Sequence, residues 1–368
     1  MIVEDVPNEG LPLHRVPPIP MYLRPDARFN PDHWHLAGTN NYASKTITLP
    51  RMVRAIRARQ KQFRPDVIHF IDNYGPGVMG IRAAFGKVPL TVSAPTYQAN
   101  RPLYDFFLKA SFKSFDVIVP FSEAYRRRLL ELGFRAERVR CIRWGIDVSK
   151  FVPPTPAERD AARSQLGLAP EILVVMWTGF TQQTDERDLK AALVTADRTL
   201  RRDPLKVAFL FCFKPEHYKD SYRQFERPGL RIFGTSEAFH AARASADILL
   251  SPIQDERSTA APPLVWLECL AMGIPILTSE IPGTEEAVVA QRSGFTVGSP
   301  ESGSECLEMM AADREMRRRL REGARQVAVE RYSVDRALNE YLDLWSTLSE
   351  GGTLRHKLSP QVRGRAPG

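Results

Sequence analysis

Residues 251–298, SPIQDERSTAAPPLVWLECLAMGIPILTSEIPGTEEAVVAQRSGFTVG, constrain the fold more than any other part of this chain. A short apolar run, 248–252, ends in a polar loop. Pro262 and Pro263 then open a helical stretch around Trp266, Leu267, Leu270 and Met272, Gly273 closes it, and 274–277 reads as a second buried strand. Proline suits a first helical turn because the N–H it lacks would be unpaired there anyway, and glycine suits the left-handed turn just past a helix end. The unit is therefore strand, loop, helix, strand, with Glu268 about two turns into the helix and Glu286 after a Gly-containing loop. A carboxylate placed beside a helix N-terminus, which favours anions, suits a ligand carrying both hydroxyls and phosphates, as a nucleotide sugar does.

The same alternation runs along most of the chain. Residues 1–45 are proline-rich and irregular, and 50–63 reads as a basic amphipathic helix. Strands are expected at 67–71, 90–93, 117–120 and 139–142, with helices from 77, near 104–115 and at 123–132. The pattern restarts after Pro153-Pro154, with strands at 173–177, 207–213, 230–233 and 248–250 and helices at 189–200 and 238–245. Charged helices at 307–331 and 334–348 follow, and the Gly-, Pro- and Arg-rich tail reads as disordered. Strands alternating with helices of this length give parallel sheets covered on both faces. The expected division is 1–150, 151–330, a terminal helix at 331–348 and a tail at 349–368.

Glu268, Gly273, Pro275, Gly283 and Glu286 match a known pattern: a glutamate, then small-x-Gly-x-Pro, then a Gly-x-x-Glu loop. Upstream, Val119-Pro120-Phe121-Ser122, Gly133, 139–142 and Gly145-Ile146-Asp147 followed by Phe151 and Pro153 match the passage between two domains. Over roughly residues 64–345 the chain resembles the retaining glycosyltransferases of family 4, also called glycosyl transferases group 1. The resemblance implies an α/β fold of GT-B architecture, two doubly wound Rossmann-like domains facing a cleft, with the first elements of the N-terminal sheet missing. It implies transfer of a sugar from a nucleotide donor to an acceptor hydroxyl, with retention. It also implies no bound metal and no cofactor beyond the nucleotide-diphosphate sugar as substrate; the lack of an Asp-x-Asp motif agrees.

Composition sets the class. The 368 residues are 43% apolar and 26% charged, as in a globular protein of two domains. Cys141, Cys212, Cys269 and Cys306 are dispersed without a Cys-x-x-Cys pair, which argues for a reducing compartment, and no leader peptide is visible. A cytoplasmic location is expected. Residues 1–150 carry 23 Lys+Arg against 13 Asp+Glu, whereas 151–350 carry 24 against 30. The runs from Arg51 to Arg64 and at Arg126, Arg127 and Arg128 are either solvated helix faces or a surface for anionic lipid at the inner face of the cell membrane. Nucleic acid is the weaker partner class, because no aromatic-interleaved or helix-turn-helix pattern accompanies the charge. The acceptor expected from the resemblance is a glycan or a lipid-linked precursor.

The resemblance assigns donor binding to Gly179, Leu264, Glu268 and Glu286, with Glu268 accepting from the ribose hydroxyls. A purely structural Glu268 would need a basic neighbour. Several positions depart from the pattern. The family's first glutamate falls on Ala260, so Asp255 or Glu256 reaches in or the contact is missing; Phe180 replaces an arginine, and Pro95 a histidine. The diphosphate gains charge as the glycosidic bond breaks and needs a cation, for which Arg187 and Lys214 are the candidates. His69 and Asp72 are the catalytic candidates of the N-terminal half, although a lone strand-end histidine is more often packed. Gly75-Pro76-Gly77-Val78-Met79-Gly80 satisfies G-x-G-x-x-G but lacks the following acid of a dinucleotide site. The rival readings are a non-catalytic relative that binds a nucleotide sugar or a protein, and an epimerase or hydrolase.

Overall fold

The computed structural model describes residues 65–71, 82, 85–94, 102–180, 186–214, 218–254 and 262–350. The proline-rich start, the 50–63 segment, the glycine-rich turn at 75–80 and the tail from 351 lie outside the described residues.

The first sheet is β1 (Ile68–Ile71), β2 (Leu90–Ala94) and β3 (Val117–Pro120), parallel and in that order. Every residue of β2 and β3 is buried, as expected of strands covered on both faces. Helices α1 (Pro102–Phe112) and α2 (Glu123–Glu131) contribute Leu108, Phe112, Tyr125 and Leu129 to the core that also holds Phe70 and Val92. The strand expected at 139–142 does not form. Val139 makes one bridge to Ile118, and Arg140 and Ile142 donate to Ile118 and Pro120. Pro120 has no N–H to return toward that segment, so the ladder stops.

The second sheet has six parallel strands: β4 (Leu173–Phe180), β5 (Val207–Lys214), β6 (Leu230–Gly234), β7 (Ile248–Ser251), β8 (Ile276–Ser279) and β9 (Gly294–Val297), in the spatial order β6-β5-β4-β7-β8-β9. This is the doubly wound order, which reverses direction between β4 and β7. The connecting helices are α3 (Pro156–Gln165), ahead of β4, then α4 (Glu186–Arg202), α5 (Tyr218–Tyr222), α6 (Thr235–Ser245) and α7 (Leu264–Ala271). They divide the core in two. Ala242, Trp266 and Leu270 pack on one face of the sheet, and Leu189, Ala196 and Leu307 on the other. Helix α7 stops as its glycine predicts: Gly273 has φ +72°, its N–H donates to Leu270, and that of Ile274 donates to Cys269.

The charged helix expected at 307–331 is two, α8 (Pro300–Ala312) and α9 (Arg314–Tyr332). Asp313 divides them, because its carboxylate accepts from Met316 N–H at 2.8 Å and caps α9. Helix α10 (Val334–Ser349) then crosses back to the first sheet, where Ala337 and Leu344 pack on Val117, Val119 and Ile142. No described helix is long and apolar enough to cross a membrane.

Candidate functional site

Parallel strands all present their carboxyl ends to one edge, and in this order the crevice lies where the connections leaving the paired strands β4 and β7 diverge. Gly179 and Lys214 lie at the carboxyl ends of the neighbouring strands β4 and β5, where Gly179 pairs with Phe213 and Phe180 with Lys214. Arg187 is exposed in the first turn of α4, which follows β4. Leu264 opens α7, which follows β7, and is 52% exposed. The fold thus brings five of the predicted residues, Gly179, Arg187, Lys214, Leu264 and Glu268, to the elements around one crevice. Asp188 and Gln254 tie that edge together. The buried Asp188 carboxylate accepts from Gln254 N–H at 2.8 Å, and the Gln254 carboxamide donates to Ser279 at 2.9 Å.

Glu268 has the basic neighbour that sequence reasoning set as the test of a structural role. Arg243, on α6, donates to Glu268 Oε2 at 3.0 Å. The guanidinium lies 5.4 Å from the Phe151 ring centre and 5.2 Å from that of Phe239, so two aromatic rings help hold the cation. Its Nε is buried without a partner among the described residues. The Glu268 side chain remains 28% exposed, and its contact with Arg243 uses only Oε2. A carboxylate offers about four acceptor positions. One oxygen can therefore be anchored while the other takes a hydroxyl. Arg243 was missed because it lies on a different helix, with no local pattern linking it to Glu268.

Two sequence assignments change. Glu286 lies in a short turn, Thr284–Glu286, opened by Gly283 with φ +98°, a left-handed conformation that favours glycine. Its side chain is buried and faces the other domain: Oε2 accepts from Glu123 N–H at 3.0 Å, and Oε1 from Ala124 N–H at 2.8 Å. Arg143 Nε also donates to it at 3.3 Å. The carboxylate expected to hold the donor instead closes the start of α2. His69 is packed. Its Nδ1 bonds Thr91 Oγ1 at 2.7 Å, its Nε2 bonds Ser93 Oγ at 2.9 Å, and its ring meets Tyr341 and Trp345 edge-on at 5.4 Å. Burial lowers its pKa to about 4, so it is neutral at ordinary pH, with both nitrogens occupied inside the protein. Asp72, Pro95, Asp255, Glu256 and Ala260 lie outside the described residues.

Comparison with known proteins fits this geometry. Residues 3–145 match the glycosyl transferase 4-like domain, and residues 173–313 match glycosyl transferases group 1. The D-inositol 3-phosphate glycosyltransferase of Jonesia denitrificans is 26% identical over 208 residues, 52% of this chain and 47% of that protein. The putative colanic acid biosynthesis glycosyltransferase WcaL of Escherichia coli K12 is 25% identical over 271 residues, 68% of this chain and 61% of that one. The chain spans about half the length of the curated relatives it matches. Among solved structures, a glycosyltransferase from Rickettsia africae superposes with a TM-score of 0.68 at 13% identity over 82% of each chain. Anabaena HepE in complex with UDP gives 0.67 at 16%, over 81% of this chain and 82% of that one. At such identities these structures speak to the fold alone. The chain belongs to the GT-B glycosyltransferase family, with two Rossmann-like domains.

Proposed function

We propose that this protein moves a sugar from a nucleotide-diphosphate donor to an acceptor hydroxyl, with retention and without a bound metal. The observation that carries the reading is Glu268, on the helix that follows β7, held by Arg243 with one carboxylate oxygen left for a ribose hydroxyl. Transfer breaks the bond between the anomeric carbon and the diphosphate oxygen and forms one to the acceptor oxygen, whose proton is lost. The departing diphosphate gains negative charge and needs a cation, for which Lys214 and Arg187 are the candidates. Retention and metal independence follow the family resemblance. A relative named for colanic acid biosynthesis supports a glycan acceptor or its lipid-linked precursor. The basic N-terminal half supports docking on anionic lipid at the inner face of the cell membrane.

Calorimetric titration with a panel of nucleoside diphosphates, UDP included, tests the donor site. Glu268→Gln keeps the shape but loses charge-assisted bonds worth about 1.5–3 kcal/mol, so affinity falls roughly 10- to 150-fold. The variant also melts lower without ligand, because Arg243 is left as a partly buried cation without its counter-ion. The titration is therefore the diagnostic arm, and unchanged affinity rejects the donor-site assignment. One observation favours a non-catalytic relative: the packed His69 removes a candidate catalytic group. Donor hydrolysis without acceptor separates the readings. Slow release of free sugar marks a transferase, no release marks a binder, and rapid turnover marks an epimerase or hydrolase.

A further inference from the structure

The first N–H groups of a helix have no partner within it and must find one elsewhere. At α2 all of them are satisfied. Tyr125 N–H donates to Ser122 Oγ at 3.0 Å and Arg126 N–H to the Ser122 carbonyl at 3.0 Å, while Glu123 and Ala124 donate to Glu286. Half of this cap comes from the other domain. Helix α2 begins just past the carboxyl end of β3, and the Glu286 turn follows the carboxyl end of β8, so the tie joins the ligand-binding edges of both sheets. Arg143, in the segment leading from the first domain to the second, reaches Glu286 Oε2 with its Nη2 at 3.3 Å. Arg331 donates to the Glu286 carbonyl at 3.1 Å, fixing the turn from behind. A second pair, Arg127 with Glu285 at 3.6 Å, is exposed and adds little.

We propose that Glu286 is a positioning residue, a carboxylate latch that sets the spacing between the donor-binding domain and the acceptor-side domain. The proposal rests on the transferase reading for its kinetic consequence and on geometry for the latch itself. A buried carboxylate that accepts two backbone N–H bonds and a guanidinium holds one docking distance. Without it, α2 loses half its cap and Arg143 its counter-charge, and the two edges separate. Donor binding uses one domain and survives this. Transfer needs both edges, and a misplacement of about 1 Å can lower a rate about 100-fold.

Glu286→Gln and Glu286→Ala, with Arg143→Met approaching the latch from the other side, are compared by nucleotide titration, steady-state transfer and small-angle scattering. The expected result is nucleotide affinity within about twofold of the parent, a kcat lowered at least about tenfold and a larger radius of gyration, with the Gln variant intermediate. Loss of nucleotide affinity in Glu286→Ala would show a donor ligand and overturn the latch. Unchanged kcat with unchanged scattering would overturn it too. If the parent protein binds no nucleotide, the transferase reading fails, and scattering still decides whether Glu286 sets the domain spacing. A variant that unfolds is recognised by its circular dichroism, in which case the Gln and Arg143 variants decide.

Discussion

His69 makes stability depend on pH with a definite sign. Its folded pKa of about 4 lies below the value near 6.5 of an exposed imidazole. The unfolded chain therefore takes the proton first. The contribution is complete above about pH 6.5 and is lost as pH falls toward 4, amounting to roughly 3 kcal/mol at 1.36 kcal/mol per pH unit. Melting the parent and His69→Asn between pH 7.5 and 4.5 checks this: the variant starts lower at pH 7.5 and loses less on acidification. Parallel pH curves would assign the acid sensitivity to other groups. The residue itself could be picked out of the sequence, but its environment could not. Thr91 and Ser93 come from the neighbouring strand, and Tyr341 and Trp345 from a helix at the far end of the chain. Glu268 and Glu286 show the same division. Flanking prolines and glycines placed Glu268 within a helix and Glu286 after a turn, while Arg243 and the α2 backbone, which bond those acids, are distant in sequence.

Among the elements, α3 depends on one carboxylate. Asp247, at the start of β7, accepts from Arg159 at 2.5 Å, from Arg163 at 2.7 Å and from Val174 N–H at 2.9 Å. Asp247 and Arg163 are almost wholly buried, so the group clamps α3 to the beginnings of β4 and β7. A buried ion pair need not stabilise relative to apolar residues, but removing one partner leaves uncompensated charge and costs about 3–5 kcal/mol. Asp247→Asn is expected to lower the urea midpoint of the second domain accordingly, and a loss below about 1 kcal/mol would mean that the arginines find solvent instead. Most strands were legible because continuous apolar runs between turn residues leave few alternatives. Helix α3 was not anticipated, although its start carries a full capping box, with Thr155 and Glu158 bonding each other's backbone N–H. Asp313 was likewise overlooked inside a charged run, where one capping carboxylate looks like any other acid.

At the scale of the whole molecule, chain order and spatial order part company. Helix α10 ends the described chain yet completes the first domain's core, and the passage between domains is pinned to its start. Ile146 N–H donates to Tyr332 at 2.7 Å, and Val334 N–H to Ile146 at 2.9 Å. Gly145 lies so close that a Cβ there would come 2.8 Å from Val334 Cα. Alternation alone implies two parallel sheets but does not say which sheet a terminal amphipathic helix covers, because either offers an apolar face. The placement is testable. Leu344 is fully buried against Val117, Val119 and Ile142, so Leu344→Ala should cost about 2–5 kcal/mol. That loss should fall on the first domain. Hydrogen exchange followed by proteolysis and mass spectrometry is expected to show faster exchange in β2 and β3, 90–94 and 117–120, with β7 and β8 unchanged. Faster exchange in β7 and β8 instead would place α10 with the second domain and refute the crossing, and no change in either sheet would show that the helix is not part of the first domain's core.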